Sequence, residues 1–222
     1  MIVAERKPLE EILDRIAGAN KILIVGCGEC VTVCMEGGEK EVGILTELLK
    51  ITSARRGNHM EIVERTVKRQ CEHEFIDPLA VDVQRADVVL SMGCGCGVQL
   101  LAEHYPLARI IPALNTQFMG VTEAEGEWAE RCQGCGDCLL DTFGGICPIA
   151  RCAKSLLNGP CGGSEDGACE IDPSVPCAWQ TIIDRLAARG ELDRMLQPVP
   201  PKDWSRSRDG GPRRLSRPDV KL

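Results

Sequence analysis

Aromatic side chains make up only 3% of this 222-residue chain, so a core has to be assembled from Val, Ile, Leu and Ala. No apolar run approaches the roughly 20 residues needed to cross a bilayer, and direct membrane insertion is not expected. The opening Met-Ile-Val-Ala-Glu-Arg-Lys-Pro lacks the basic segment, apolar stretch and small-residue cleavage site of a secretory leader. The expected compartment is therefore the reducing cytoplasm. Histidine is scarce: His59, His73 and His104 are the only three, each at a polar helix or loop position. No nucleophile with a positioned base is evident, so no catalytic residue is assigned, although His73 beside Cys71 is placed to tune or ligate a metal cluster. The Gly-x-Gly-x-x-Gly fingerprint opening a helix is missing, as are the lysine and Ser/Thr of a triphosphate-binding loop. Nucleotide binding is not expected.

The net charge of -7 is unevenly spread. Residues 201–222 hold seven Lys or Arg against three Asp, a net +4 that leaves -11 on the rest. An acidic body repels phosphate, which argues against nucleic acid as a ligand. Residues 198–222 read as a disordered basic tail rich in Arg, Ser, Gly and Pro.

What the chain has in excess is cysteine, fourteen in all. In a reducing compartment such thiols are free for metal. Eight fall in one stretch: Cys132, Cys135, Cys138, Cys147, Cys152, Cys161, Cys169 and Cys177. Cys132-x2-Cys135-x2-Cys138 delivers three sulfurs from one tight loop, the spacing of bacterial ferredoxins, but the fourth cysteine, Cys147-Pro148, follows after eight intervening residues instead of three. Cys147 therefore belongs either with this triplet or with Cys152, Cys161, Cys169 and Cys177. Eight thiols suit two 4Fe-4S clusters, or one cluster and one tetrahedral zinc. The stretch is glycine-rich and poor in apolar residues, and metal–thiolate bonds would staple it.

The other six cysteines depend on the fold for their meaning. Leu9, Ile12, Leu13 and Ile16 form a helical stripe; Lys21–Gly26 reads as a buried strand, and Val42, Leu45, Leu48 and Leu49 as the next helical face. Met60–Val67 gives a second strand, a helix follows within 74–86, and Asp87–Met92 is the third strand. Val98–Tyr105 forms a short helix, and Arg109–Leu114 the fourth strand, with Pro112 marking an edge. The expected fold is α/β: a small doubly wound, four-stranded parallel sheet over residues 1–126, then an irregular Cys-rich domain over 127–197 closed by a helix at 179–196.

In such a sheet the turns after the strands share the carboxyl edge, where ligands bind. Cys27, Cys30 and Cys34 follow strand one, Cys71 follows strand two, and Cys94 and Cys96 follow strand three. Their glycine neighbours allow close backbone approach and aim amides at an anionic group. Four of the six would make a site; the chosen set is Cys30, Cys34, Cys71 and Cys94, with Cys27 and then Cys96 as further candidates. Cys27-x2-Cys30 also has the spacing of a thiol-disulfide exchanger, but four more cysteines at the same edge would then be without use. In total two 4Fe-4S clusters are expected, three if every group is filled, with zinc able to replace one.

These residues together resemble a known family. Cys132-Gln-Gly-Cys-Gly-Asp-Cys138, Gly144-Gly-Ile-Cys-Pro148, Cys152-Ala-Lys154, Leu157-Asn-Gly-Pro-Cys-Gly-Gly163 and Cys177-Ala-Trp179 are similar to the methylenetetrahydrofolate reductase C-terminal family. Its members include the small iron-sulfur subunit of acetogen-type reductases. Gly26-Cys-Gly-Glu-Cys30, Gly37-Gly-Glu-Lys40 and Cys94-Gly-Cys-Gly-Val-Gln99 extend the likeness over residues 20–195, with Cys96 an addition to the pattern. The resemblance implies a flavin-containing partner that reduces methylenetetrahydrofolate in the Wood-Ljungdahl pathway, and an electron donor such as a ferredoxin, a hydrogenase or a heterodisulfide-reductase-like protein. For this chain it implies electron relay. The alternative is a zinc-stapled module that positions a folate or corrinoid enzyme.

Overall fold

The computed structural model describes residues 1–57 and 59–220. By its internal contacts the chain divides into two compact units, Met1–Ala129 and Glu130–Leu222.

The first unit begins with β1 (Ile2–Arg6), α1 (Leu9–Arg15), β2 (Lys21–Cys27), α2 (Cys30–Val33) and α3 (Glu39–Arg55). β3 (Glu61–Val67), α4 (His73–Ile76), α5 (Ala80–Arg85), β4 (Val88–Ser91), α6 (Gly95–His104) and β5 (Ile110–Pro112) follow. Strands β2 to β5 form the expected parallel sheet in the order β3-β2-β4-β5. Side chains alternate faces along a strand, and β2 shows what that does here. Ile22 and Ile24 enter a core with Ile12 and Ile16 of the α1 region and Val42, Leu45 and Leu49 of α3. Leu23 and Val25 enter the opposite core with Ile76, Leu79, Val83 and Leu101, from the α4–α6 side. A strand covered on both faces must be apolar throughout, which is why Lys21–Gly26 is so easily recognised. β3 lies at the edge and carries exposed Glu61, Glu64 and Arg65, charges that blunt an unpaired strand. The helix expected within 74–86 is split into α4 and α5 by a 3-10 turn at Asp77–Leu79, where Pro78 interrupts the helical bonding.

A second sheet was not expected. β1 pairs antiparallel with β6 (Leu114–Ala124), which neighbours β7 (Glu127–Cys132) in a three-stranded sheet. β6 and β7 are joined by Glu125-Gly126, with Gly126 at φ +80°, the left-handed conformation that two-residue hairpin turns require. The strand expected over 109–114 thus stops at Pro112, and Leu114 already belongs to the other sheet.

The second unit holds two short helices, α7 (Pro148–Arg151) and α8 (Ala178–Ala188). Its core gathers Phe143, Ile146, Cys177, Trp179, Ile182 and Leu186, with the Phe143 and Trp179 rings edge to face at 5.4 Å. The single closing helix expected over 179–196 ends at Ala188: Gly190 takes φ +68°, a left-handed helix stop, and Leu192–Leu196 forms a separate 3-10 turn. The segment expected as a disordered tail is not loose at its start, since Lys202 and Ser207 are buried. No helix among the described residues is long and apolar enough to cross a membrane.

Candidate functional site

The carboxyl edge of the parallel sheet is organised by a residue that sequence reasoning passed over. Gln70, three residues beyond β3, is fully buried. Its Nε2 donates to the carbonyls of Val25 (2.8 Å) and Gly26 (3.1 Å) on β2, and its Oε1 accepts from the Ser91 hydroxyl of β4 (2.6 Å). The Ser91 Oγ accepts in turn from the Gly93 amide at 3.2 Å. One amide side chain therefore ties together the turns that carry Cys27, Cys71 and Cys94. The glycines here make room: a Cβ on Gly93 would stand 2.5 Å from Gln70 Oε1, and one on Gly37 only 2.1 Å from the Met92 carbonyl.

Within that frame the six cysteines separate. Cys34 is buried among apolar side chains, its Sγ directed at the carbonyls of Val31 (3.5 Å) and Ala4 (3.7 Å). Cys30 opens α2 and is partly exposed. Cys27, Cys71, Cys94 and Cys96 share a different neighbourhood. Burial pushes the thiols of Cys27, Cys71 and Cys96 above their ordinary value, and a charge on Cys94 would push each further. Of the expected set, Cys34 is thus turned inward, whereas Cys30, Cys71 and Cys94 are at least partly exposed. Cys94 caps the amino end of α6, whose Gly95 amide donates to Thr116 Oγ1 at 2.8 Å.

A pH dependence follows from the raised thiols. An unfolded chain releases these protons near the ordinary value of 9.0, whereas the folded chain holds them to higher pH. Their contribution to stability is complete below about pH 9 and is lost as pH rises through the folded values. The urea midpoint of the metal-free chain, followed by circular dichroism, is expected to fall between pH 8 and pH 10. A midpoint that rises there would contradict the assigned burial.

In the second unit, Cys132, Cys135, Cys138 and Cys147 line a single cavity of about 250 Å³, together with Arg131, Leu139, Leu140, Pro148 and Ile149. Gly134 (φ +62°) and Gly136 (φ +83°) turn the loop back on itself between the cysteines, positions where a side chain would be strained. The Gly134 amide donates to Cys132 Sγ at 3.3 Å, and the Ala150 amide donates to Cys147 Sγ at 3.5 Å. Cys147 caps α7, and Pro148 fills a helix position that needs no amide hydrogen. The sequence left the allegiance of Cys147 open; in the structure it lines the same cavity as the triplet. Arg131 lies at this cavity, its guanidinium driven down in pKa by burial and then by Arg151.

Of the remaining four cysteines, Cys177 belongs to the unit's core and Cys152 packs against it. Cys152 follows α7, Cys177 caps α8, and both pack with Trp179. Cys169 and Cys177 lie on a small antiparallel ladder, held by Cys169 N to Val175 O (2.9 Å) and Cys177 N to Gly167 O (2.7 Å). Cys161 Sγ stands 3.4 Å from Glu170 Oε2, and Glu170 pairs with Lys154. The Lys154 ammonium is held above its usual range by Glu170 first and then by Cys161 and Cys169.

All fourteen cysteines are free thiols. Among the described residues, no three or more His, Cys, Asp or Glu side chains are close enough together to form a metal site. The sulfurs are grouped by loop, ladder and cavity without closing on a common point. The donor chemistry nevertheless fits soft metal: four sulfurs on one cavity, backbone amides directed at two of them, and an adjacent cation. His59 is exposed and away from the cysteines. His73 and His104 meet through their Nδ1 atoms at 3.2 Å, with Asp77 3.1 Å from His104 Nε2, a pairing made by α4 against α6 that has no sequence signal.

Comparison with protein families matches residues 111–205 to a family described as "Methylene-tetrahydrofolate reductase C terminal". That stretch contains all eight cysteines of the second unit and the end of the first. Comparison with curated proteins and with solved structures gives no match.

Proposed function

We propose that this chain is a small iron-sulfur, MetV-like subunit of a methylenetetrahydrofolate reductase complex, relaying electrons from a donor to a flavin-containing partner. The observation that carries the reading is the cavity lined by Cys132, Cys135, Cys138 and Cys147, which lies within the stretch similar to the reductase family. A 4Fe-4S cluster, when bound, supplies one-electron transfer, which suits a chain with many thiols and no evident acid–base site. The chain's own part is to hold and tune. Cys132, Cys135, Cys138 and Cys147 would bind one cluster; the Gly134 and Ala150 amides donate to two of the sulfurs, and hydrogen bonds of that kind raise a cluster's potential. Cys152, Cys161, Cys169 and Cys177 would bind a second cluster or a zinc that staples the core. Cys27, Cys30, Cys34, Cys71, Cys94 and Cys96 would offer a third position at the sheet edge. Reduction of a folate takes two electrons, so the flavin would belong to the partner, with a ferredoxin, hydrogenase or heterodisulfide-reductase-like protein as donor, in the cytoplasm.

The test is iron, zinc and acid-labile sulfide per chain in protein purified without oxygen. About eight iron atoms with matching sulfide, and a visible absorbance that dithionite bleaches, are expected for two clusters. Colourless protein with stoichiometric zinc and no sulfide would instead make it a zinc-stapled scaffold. Co-purification with a flavoprotein tests the partner separately.

A further inference from the structure

A lysine whose side chain is completely buried is rare unless it is paired, and Lys202 is one. Its Nζ donates to the Asp137 carbonyl and stands 3.3 Å from Asp137 Oδ2, with the lysine side chain at 0% exposure. Asp137 lies between Cys135 and Cys138 in the four-cysteine loop. Two further contacts join the same partners. Arg213 donates to the Gly134 carbonyl and to the Arg206 carbonyl, and Gly136 packs so closely on Arg206 that a Cβ there would stand 2.4 Å from its carbonyl oxygen. The strap is shaped by its own turns: Asp203 caps a 3-10 turn at Trp204–Arg206, and the buried Ser207 caps the next, accepting from the Asp209 amide at 3.0 Å.

We infer that residues 202–213 are a strap that closes over the Cys132–Cys138 loop, locked by Lys202 on Asp137 and by Arg213 on Gly134. It has two effects. It restricts access of solutes to Cys135, the half-buried thiol of the loop, which donates to the same Asp137 carbonyl that Lys202 holds, and it sets positive charge against a loop that carries Asp137 and three thiols. Neither is implied by electron relay as such. The first stands without any metal; the second rests on the proposed cluster.

The experiment is timed alkylation of the full-length, metal-stripped chain with iodoacetamide, read cysteine by cysteine by mass spectrometry, with Cys71 and Cys96 as internal standards. If closure controls access, the rate tracks the population of the open strap. Lys202→Met is expected to speed modification of Cys135 by about fivefold or more over the standards, with Cys132 and Cys138, which are exposed while the strap is closed, little changed, and Lys202→Arg to restore most of the protection. Arg213→Ala, at an exposed position that does not threaten folding, is expected to speed Cys135 likewise. Rates in Arg213→Ala and Lys202→Met within about twofold of the original chain would overturn the strap; should Lys202→Met fail to fold, Arg213→Ala decides alone. In metal-loaded protein, Lys202→Met is expected to lower the reduction potential of the cluster in the loop. An unchanged potential beside faster alkylation would remove the electrostatic role and leave the closure.

Discussion

Anaerobically purified protein carrying Cys135→Ser is expected to hold about four fewer iron and four fewer sulfide atoms per chain than the unchanged protein. Cys135 is the middle sulfur of the loop, and among the described residues the cavity is lined by no cysteine other than Cys132, Cys135, Cys138 and Cys147 that could take its place. A serine hydroxyl is a harder ligand that stays protonated at neutral pH, and a site short of one thiolate is not expected to keep its iron through purification. Cys34→Ser is the matching control. Its sulfur faces the Val31 and Ala4 carbonyls in a buried pocket, acceptors a hydroxyl can use equally well, and iron content should not change. Single serine replacements at Cys27, Cys30, Cys71 and Cys96 then separate the two groupings at the sheet edge. Loss of iron at Cys27 and Cys96 with none at Cys30 would favour a site built on those two; the reverse would keep Cys30 in the expected set. Full iron in Cys135→Ser would remove the four-cysteine cavity as a cluster site.

The parallel sheet was legible because its central strands are buried on both faces and so read as continuous Ile, Leu and Val. Charge and polarity hid the rest. β1 spans five residues and ends in Glu5 and Arg6, while β6 exposes Asn115, Thr116 and Gln117, so neither carries an apolar run. The Glu125-Gly126 turn was the one visible mark of a hairpin. Gly190 could likewise have ended α8 eight residues earlier, since Arg189-Gly190 is an ordinary helix stop. The site divides in the same way. Cys132, Cys135 and Cys138 are joined by short spacing and needed no fold to be grouped. Cys27, Cys71 and Cys94 are joined only by topology, and choosing among six thiols there depended on which of them face the core. Lys202 was averaged into a basic segment, because composition does not record that one charge of seven is buried.

Gln70→Ala is expected to cost the first unit about 3 kcal/mol, which for a domain of this size lowers the thermal midpoint by about 10 °C. The replacement removes three hydrogen bonds at once and leaves the Ser91 hydroxyl without its acceptor in a buried setting. It also opens a void beneath Gly93 and Gly97, which pack on the Gln70 side chain. Gln70→Glu separates charge from shape. A carboxylate there would face two carbonyl oxygens, so its folded pKa is raised above the unfolded value of about 4.3. Stability of that variant should be nearest to the original below about pH 4.3 and should fall away as pH rises to 7; a pH-independent deficit would mean that packing alone is at stake. A double-mutant cycle locates the contact. The Cβ of Gly93→Ala would collide with Oε1, Cδ and Nε2 of Gln70 at 2.5–3.2 Å, atoms that Gln70→Ala deletes. The pair should therefore be less damaging than the sum of its members by about 1–3 kcal/mol, measured by urea unfolding. Strict additivity would show that Gln70 does not occupy the space under the Gly93 turn, and with it the account of how β2, β3 and β4 present their cysteines at one edge would fail.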